Sequence, residues 1–366
     1  MPPKSNAKRK DDLISVQVYL GRVDGKRKYK TFYGKTQKEA NKKAEVFKQK
    51  LGMGVDVFSE RTPFGTYRAR WLERKKASVS PSTYPSYEYH ANALSQLDMM
   101  PIAKVQAQHI QAIVDELAAR NPTTRRPSSK KTLNNIKKAA VQILEIARRE
   151  HAIIYNNAEG VEVSRQAPKS TRRAISKDEM AHVEDTPHRA QLAAMIMMYA
   201  GLRRGEVSAL YWRDVDLSAA RITVHRSVEF VHGEASLKEG TKTAAGNRVV
   251  YIPRKLVEFL REQPQHDDLL VQRSGGGVMN NSSWYALWRS YMFVLGQKYG
   301  AKHHQFGAHD LRHTFATTLY HAGIDILTAR DQLGHADIQT TMGIYTHLDS
   351  QFKERKMQKL DEYLST

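Results

Sequence analysis

Four stretches between residues 201 and 347 carry side chains able to act on a phosphate. They are "GLRRGE" (201–206), "TKTAAGNRVVYIP" (241–253), "HDLRHT" (309–314) and "LGHADIQTTMGIYTH" (333–347). Singly, each has an ordinary reading. An Arg-Arg pair is a solvated face, a His-x-x-Arg pair on a helix is a surface contact, and a lone tyrosine is more often core than nucleophile. Suppose instead that the Tyr345 hydroxyl attacks a backbone phosphate. Charge then builds on the non-bridging oxygens. Guanidinium groups hold such oxygens in bidentate fashion and stay cationic at any working pH. Arg312 and either Arg203 or Arg204 would be the clamps. His309 lies one helical turn before Arg312, so both can face one phosphate, and His335 adds a donor. Each preorganised donor of this kind contributes on the order of 3 kcal/mol. A hairpin lysine, Lys242 or Lys238, would protonate the departing 5′-oxygen. The covalent phosphotyrosine keeps the bond energy, so a strand is rejoined without ATP. Two arginines supply charge that a metal would otherwise bring.

The fold has to gather these groups. His335 and Tyr345 are ten residues apart, and ten helical residues rise about 15 Å. One straight helix cannot bring both to one phosphate. Gly334 and Asp337 predict a break, with His335 opening a turn and Asp337 capping a separate short helix that carries Tyr345. Upstream, "SKDE" (176–179) is a capping box. "RITVHRSVEFVHG" (221–233) and "GNRVVYIP" (246–253) predict strands, and mostly helices follow.

Two other segments precede this one. In residues 1–58, "LISVQVYL" alternates Ile14, Val16, Val18 and Leu20 with more polar neighbours. Asp24-Gly25 is a hairpin signal, "KYKTFYG" reads as a second or third strand, and "TQKE" (36–39) caps a helix. Residues 62–163 hold apolar stripes at helical spacing, among them Ile110/Ile113/Val114/Leu117, and predict a four- or five-helix bundle with Thr62 as its first N-cap. The polar, basic stretch "VSRQAPKSTRRAIS" marks a boundary. The tail 350–366 predicts an amphipathic helix that docks on a neighbouring subunit or, alternatively, packs on its own domain.

Composition bounds the partner. The 366 residues hold 58 Lys+Arg against 38 Asp+Glu, a net charge of +20, and residues 1–50 alone carry +10 of it. Such an excess points to a polyanion. The absence of cysteine excludes disulfides and thiolate sites and suits a reducing cytoplasm. No run of 18 apolar residues predicts a membrane span.

In this order, the four stretches resemble the tyrosine recombinase (phage integrase) family. The helical segment resembles that family's core-site DNA-binding domain, and the N-terminal piece its arm-type domain in phage and conjugative-transposon integrases. The resemblance implies a multidomain chain: residues 1–58 an α+β arm-type domain with a three-stranded sheet and a helix, 62–163 an all-α core-site domain, and 170–366 a mainly α catalytic domain with a small antiparallel sheet. It prefers Arg203 over Arg204 and Lys242 over Lys238. Its catalytic set is Arg203, Lys242, His309, Arg312, His335 and the nucleophile Tyr345, with Glu206 and His313 in support. Gly246 departs from the serine common there. The implied activity is integration or excision of a mobile element through a 3′-phosphotyrosine and a Holliday junction, with no metal or other cofactor. The implied partners are double-stranded DNA at core and arm-type sites, three further copies in a homotetramer, and a directionality or DNA-bending protein, in the cytoplasm of a bacterial host. Arg22, Lys28 and Lys30 are the candidate base readers of the N-terminal piece. Competing readings are a catalytically silenced DNA-binding regulator, a chromosome-dimer resolvase, and a metal phosphohydrolase built on His303, His304, His309, Asp310 and His313.

Overall fold

In the computed structural model the described residues are 13–23, 26–52, 59–168, 173–231, 233–240, 247–264, 268–300, 306–345 and 364–365. The chain divides into two compact units, Met1–Ser170 and Thr171–Thr366.

The first unit opens with an antiparallel hairpin. Strand β1 (Ile14–Val23) pairs with β2 (Lys26–Gly34), from Ile14 opposite Gly34 to Val23 opposite Lys26, with a register shift between Tyr19 and Gly21. Strand alternation sends Val16, Val18, Leu20 and Phe32 to one face. There they pack on Ala44 and Phe47 of helix α1 (Gln37–Gly52). Thr36 Oγ1 accepts from Glu39 N–H at 3.2 Å and starts this helix. The other face leaves Tyr19 and Tyr29 exposed, with ring centroids 5.4 Å apart. The described residues form two strands here, not three. The register shifts after Tyr19, yet β1 runs on through Val23, so among the described residues the two stretches read as strands form one long hairpin.

Four helices follow: α2 (Phe64–Ser78), α3 (Tyr84–Asn92), α4 (Ala107–Ala119) and α5 (Lys130–Arg149). Helix α2 starts one residue later than expected, with extended Pro63 at its N-cap in place of Thr62. Phe64, Tyr67 and Trp71 form its buried face. They share one core with the buried stripes of α4 and α5. Ser129 caps α5 by accepting from Thr132 N–H at 3.2 Å.

The second unit begins with α6 (Lys177–Glu184), whose Ser176 and Glu179 form the expected reciprocal cap. The next helix, α7 (Gln191–Ala200), is buried almost all round. It ends at Gly201, where φ is +65°. A Cβ there would lie 2.3 Å from Phe315 Cδ1, so both backbone and packing require glycine. The short helix α8 (Arg204–Val207) comes next. Strands β3 (Val215–Asp216), β4 (Arg221–Val224), β5 (Arg226–Val231), β6 (Glu234–Glu239) and β7 (Arg248–Tyr251) are all antiparallel. They form a sheet of order β3-β4-β7 and a separate β5-β6 hairpin. Helices α9 (Arg254–Arg261), α10 (Asn281–Tyr299), α11 (Ala308–His321), α12 (Ile326–Leu333) and α13 (Ile338–Tyr345) complete the unit. Helix α7 packs along α11 in the middle of it. None of the described helices is long and apolar enough to cross a membrane. Of the tail 350–366, only Leu364 and Ser365 are described, so the expected amphipathic helix lies outside the described residues.

Candidate active site

The break anticipated between His335 and Tyr345 is present. Helix α12 stops at Leu333, Gly334 takes φ +63°, and α13 begins at Ile338. Asp337 Oδ1 accepts from Gln339 N–H at 2.9 Å and supports the new helix start. Tyr345 is the last residue of α13. Its backbone is described and its side chain is not.

A helix end leaves carbonyls without intrahelical partners and carries partial negative charge. At the end of α12 three consecutive carbonyls receive guanidinium groups. Gln332 O accepts from Arg248 Nε at 3.0 Å, Leu333 O from Arg312 Nη2 at 2.6 Å, and Gly334 O from Arg203 Nη2 at 2.7 Å. These arginines come from β7, from α11 and from the residue before α8. The end of α12 therefore fixes the distance between the two expected clamps.

Each clamp has a second anchor. Arg312 Nη1 donates to Gly201 O at 2.5 Å. Arg203 Nη1 donates to Glu206 Oε1 at 2.7 Å, and its backbone N–H to Glu206 Oε2 at 2.8 Å. The Arg203 side chain is 38% exposed, whereas Arg312 is buried. Burial and the charge of Arg203 lower the Arg312 guanidinium to about 9, which still leaves it cationic at neutral pH. Glu206 is buried as well. Burial alone would raise its carboxyl, but the hydrogen bonds and charge of Arg248 and the charge of Arg203 hold it at about 2.

His335 stands beside this cluster. Burial, then the charges of Arg312, Arg203, Arg248 and His309, lower its imidazole to about 3, so it is neutral at working pH. Its Nδ1 lies 2.9 Å from the hydroxyl of fully buried Thr341, one helical turn before Tyr345. His309 is exposed in the first turn of α11, near enough to act electrostatically on His335. His313, half-buried, follows one turn later on the same helix.

The structure thus gathers Arg203, Glu206, Arg312, His335 and His309. Lys242 and Gly246 lie outside the described residues. Lys238, the other candidate acid, is ion-paired with Glu229 across the β5-β6 hairpin. Arg204 points elsewhere, its Cζ 4.1 Å from the centre of the Phe230 ring. Arg248 and Thr341 were not singled out from the sequence. Each sits inside a quoted stretch, but an arginine in a strand and a threonine in a helix carry no signal of their contacts. Lys30 is also placed differently from the expectation that it reads bases. Its ammonium lies 4.3 Å from the centre of the Phe47 ring, on the face that packs against α1. Strand parity puts it with Phe32 rather than with exposed Tyr29. The side chains of Arg22 and Lys28, and residues His303 and His304, lie outside the described residues. Asp310 Oδ2 accepts from Gly307 N–H at 2.7 Å, as a helix cap.

Known proteins match both compact units. The phage integrase family profile matches residues 172–351, and the phage integrase N-terminal SAM-like domain profile matches residues 63–118. A "Tyrosine recombinase XerC-like" protein of Caldanaerobacter subterraneus subsp. tengcongensis is 26% identical, over 99% of each chain. The "ICEBs1 integrase" of Bacillus subtilis is 27% identical over 64% of this chain and 67% of its own. Among solved structures, the Tn1549 transposon integrase with circular intermediate DNA superposes with a TM-score of 0.65 at 20% identity, covering 82% of this chain and 99% of that one. A lambda integrase dimer bound to a COC′ core site gives 0.56 at 16% identity, covering 94% and 95%. With two profiles of one family spread over both units, the chain belongs to the phage integrase family, the tyrosine-type site-specific DNA recombinases.

Proposed function

We propose that the chain integrates or excises a mobile element by cutting and rejoining DNA through a covalent 3′-phosphotyrosine at Tyr345. The observation that carries this reading is the pair Arg203 and Arg312, set on adjacent carbonyls at the end of α12, one loop before the helix that ends in Tyr345. Together with His309 and neutral His335, they form a preorganised cradle for the charge on an attacked phosphate. Lys242 protonates the departing 5′-oxygen. His313 steadies α11. The cradle's charge stands in for a metal, and the phosphotyrosine keeps the bond energy for rejoining. Four copies on two DNA duplexes exchange strands through a Holliday junction in the bacterial cytoplasm, with an accessory protein setting direction.

In this reading residues 62–163 grip the core site, 170–366 carry the chemistry, and 1–58 hold a second class of DNA site. The exposed Tyr19–Tyr29 face of the hairpin supports contact with a groove on that side, with Arg22, opposite Arg27 in the register, contributing and Lys30 bracing the sheet against Phe47. A chromosome-dimer resolvase is the second reading, favoured by the full-length similarity to a XerC-like protein. The net +10 within residues 1–50 supports the mobile element instead.

The test is incubation with nicked element-end DNA in EDTA, without nucleotide. A covalent protein–DNA adduct is expected. Loss of cleavage in EDTA would move the reading to a metal phosphohydrolase, and tight binding without adduct to a silenced DNA-binding regulator.

A further inference from the structure

Glu206 is shared between two arginines. Arg203 reaches it through a backbone N–H and Nη1, at 2.8 and 2.7 Å. Arg248 reaches the same two oxygens through Nη1 and Nη2, at 3.1 and 3.0 Å. The Arg248 side chain is 7% exposed, so it is not placed to touch DNA. Its third donor, Nε, is spent on Gln332 O. Its guanidinium lies flat against Gly334, where an added Cβ would come within 2.7 Å of Nη1 and 2.9 Å of Cζ. Gly334 therefore has two reasons to be glycine, its φ of +63° and this close approach.

We infer that Arg248 is a positioning residue of the phosphate clamp, acting through Glu206 and the end of α12. This rests on the phosphotyrosine reading above. A carboxylate facing one guanidinium holds it as a complete ion pair. Divided between two, Glu206 orients Arg203 while leaving the pair of arginines with a surplus positive charge. That surplus is what a phosphate meets. Arg248 also ties Glu206 to the carbonyl next to those that anchor Arg312 and Arg203, so one planar group locks both sides of the clamp together. Lysine would bring the charge but not three donors in a fixed plane.

The test uses the full-length chain and reads three quantities: single-turnover cleavage at saturating DNA, DNA affinity, and melting temperature. Arg248→Lys should keep DNA affinity within about threefold and lose about tenfold or more in cleavage. Arg248→Met should lose more. In a Glu206→Gln background, the same Arg248 substitutions should cost at least about threefold less than in the wild-type background, because the carboxylate route is gone and only the contact with the end of α12 remains. A structural role would give equal losses in both backgrounds, and that result overturns the inference. So does cleavage by Arg248→Lys within about twofold of wild type, or a loss confined to DNA affinity. If Arg248→Met does not fold, Arg248→Lys is judged by the same criteria. Failure of both to fold makes Arg248 a residue of the fold alone and counts against it. A wild-type chain that forms no covalent adduct refutes the phosphotyrosine reading instead.

Discussion

Replacing Thr341 by valine should slow DNA cleavage without weakening DNA binding. His335 is neutral because burial and its arginine neighbours hold it down at about 3. A neutral imidazole has one N–H, and a partner on one ring nitrogen decides where it sits. That partner is the Thr341 hydroxyl, 2.9 Å from Nδ1 and fully buried. A hydroxyl that donates to Nδ1 leaves Nε2–H free to face a phosphate. Valine keeps the shape and removes the hydroxyl, so Nδ1 meets a methyl group where water does not reach. An unpaired buried polar group costs roughly 1–3 kcal/mol. If that cost falls on the catalytic orientation, cleavage drops about 5- to 150-fold. The assay is single-turnover cleavage of a nicked suicide substrate, with affinity followed by fluorescence anisotropy. Thr341→Ser, which retains the hydroxyl, should cleave at close to the wild-type rate. Cleavage by Thr341→Val within about twofold of wild type, or equal impairment in both variants, would refute the reasoning.

Arg203→Ala should lose about 100-fold in cleavage through a lost clamp of roughly 3 kcal/mol. Arg204→Ala, which removes a group stacked on Phe230, should lose far less in the same assay. Stability should fall as pH drops from about 6.5 towards 3, because the unfolded chain protonates His335 there and the folded chain does not. His335→Gln should flatten that fall in thermal melts between about pH 7 and pH 5, whereas the stability that Glu206 contributes is lost only as pH falls from about 4.5 towards about 2. A chain starting near Glu60 should still cleave a core site. In footprints it should lose any distal protected region, together with a salt dependence of about 0.9 log units per phosphate contact. Identical footprints with and without residues 1–58 would make that piece a non-specific basic arm.

Much of the site was legible because its members stand in short motifs. The glycine after Leu333 and the aspartate at 337 announced the helix break, and the i,i+3 spacing of His309 and Arg312 put them on one helix. Arg248 was not legible as part of the site, since its partners Glu206 and Gln332 lie 42 and 84 positions away. Thr341 read as one more helix residue, because only the fold turns it back onto His335. The third strand expected of the N-terminal sheet is not among the described residues, where β1 and β2 form one two-stranded hairpin. Lys30 was expected among the base readers from its charge and its place on the hairpin, whereas alternation along β2 puts it on the side of Phe32, with its ammonium over the Phe47 ring. The helical stripes of the bundle were clear because burial and 3.6-residue periodicity coincide there.

Mapping the covalent adduct tests most directly whether Tyr345 is the nucleophile. Wild-type chain is trapped on nicked substrate, digested, and the DNA-linked peptide sequenced. The expected peptide contains Tyr345 joined to a 3′-phosphate. Tyr345→Phe, which removes one oxygen, should bind the same DNA and form no adduct. An adduct on Tyr320 or Tyr363, or unchanged adduct formation by Tyr345→Phe, would contradict the phosphotyrosine account.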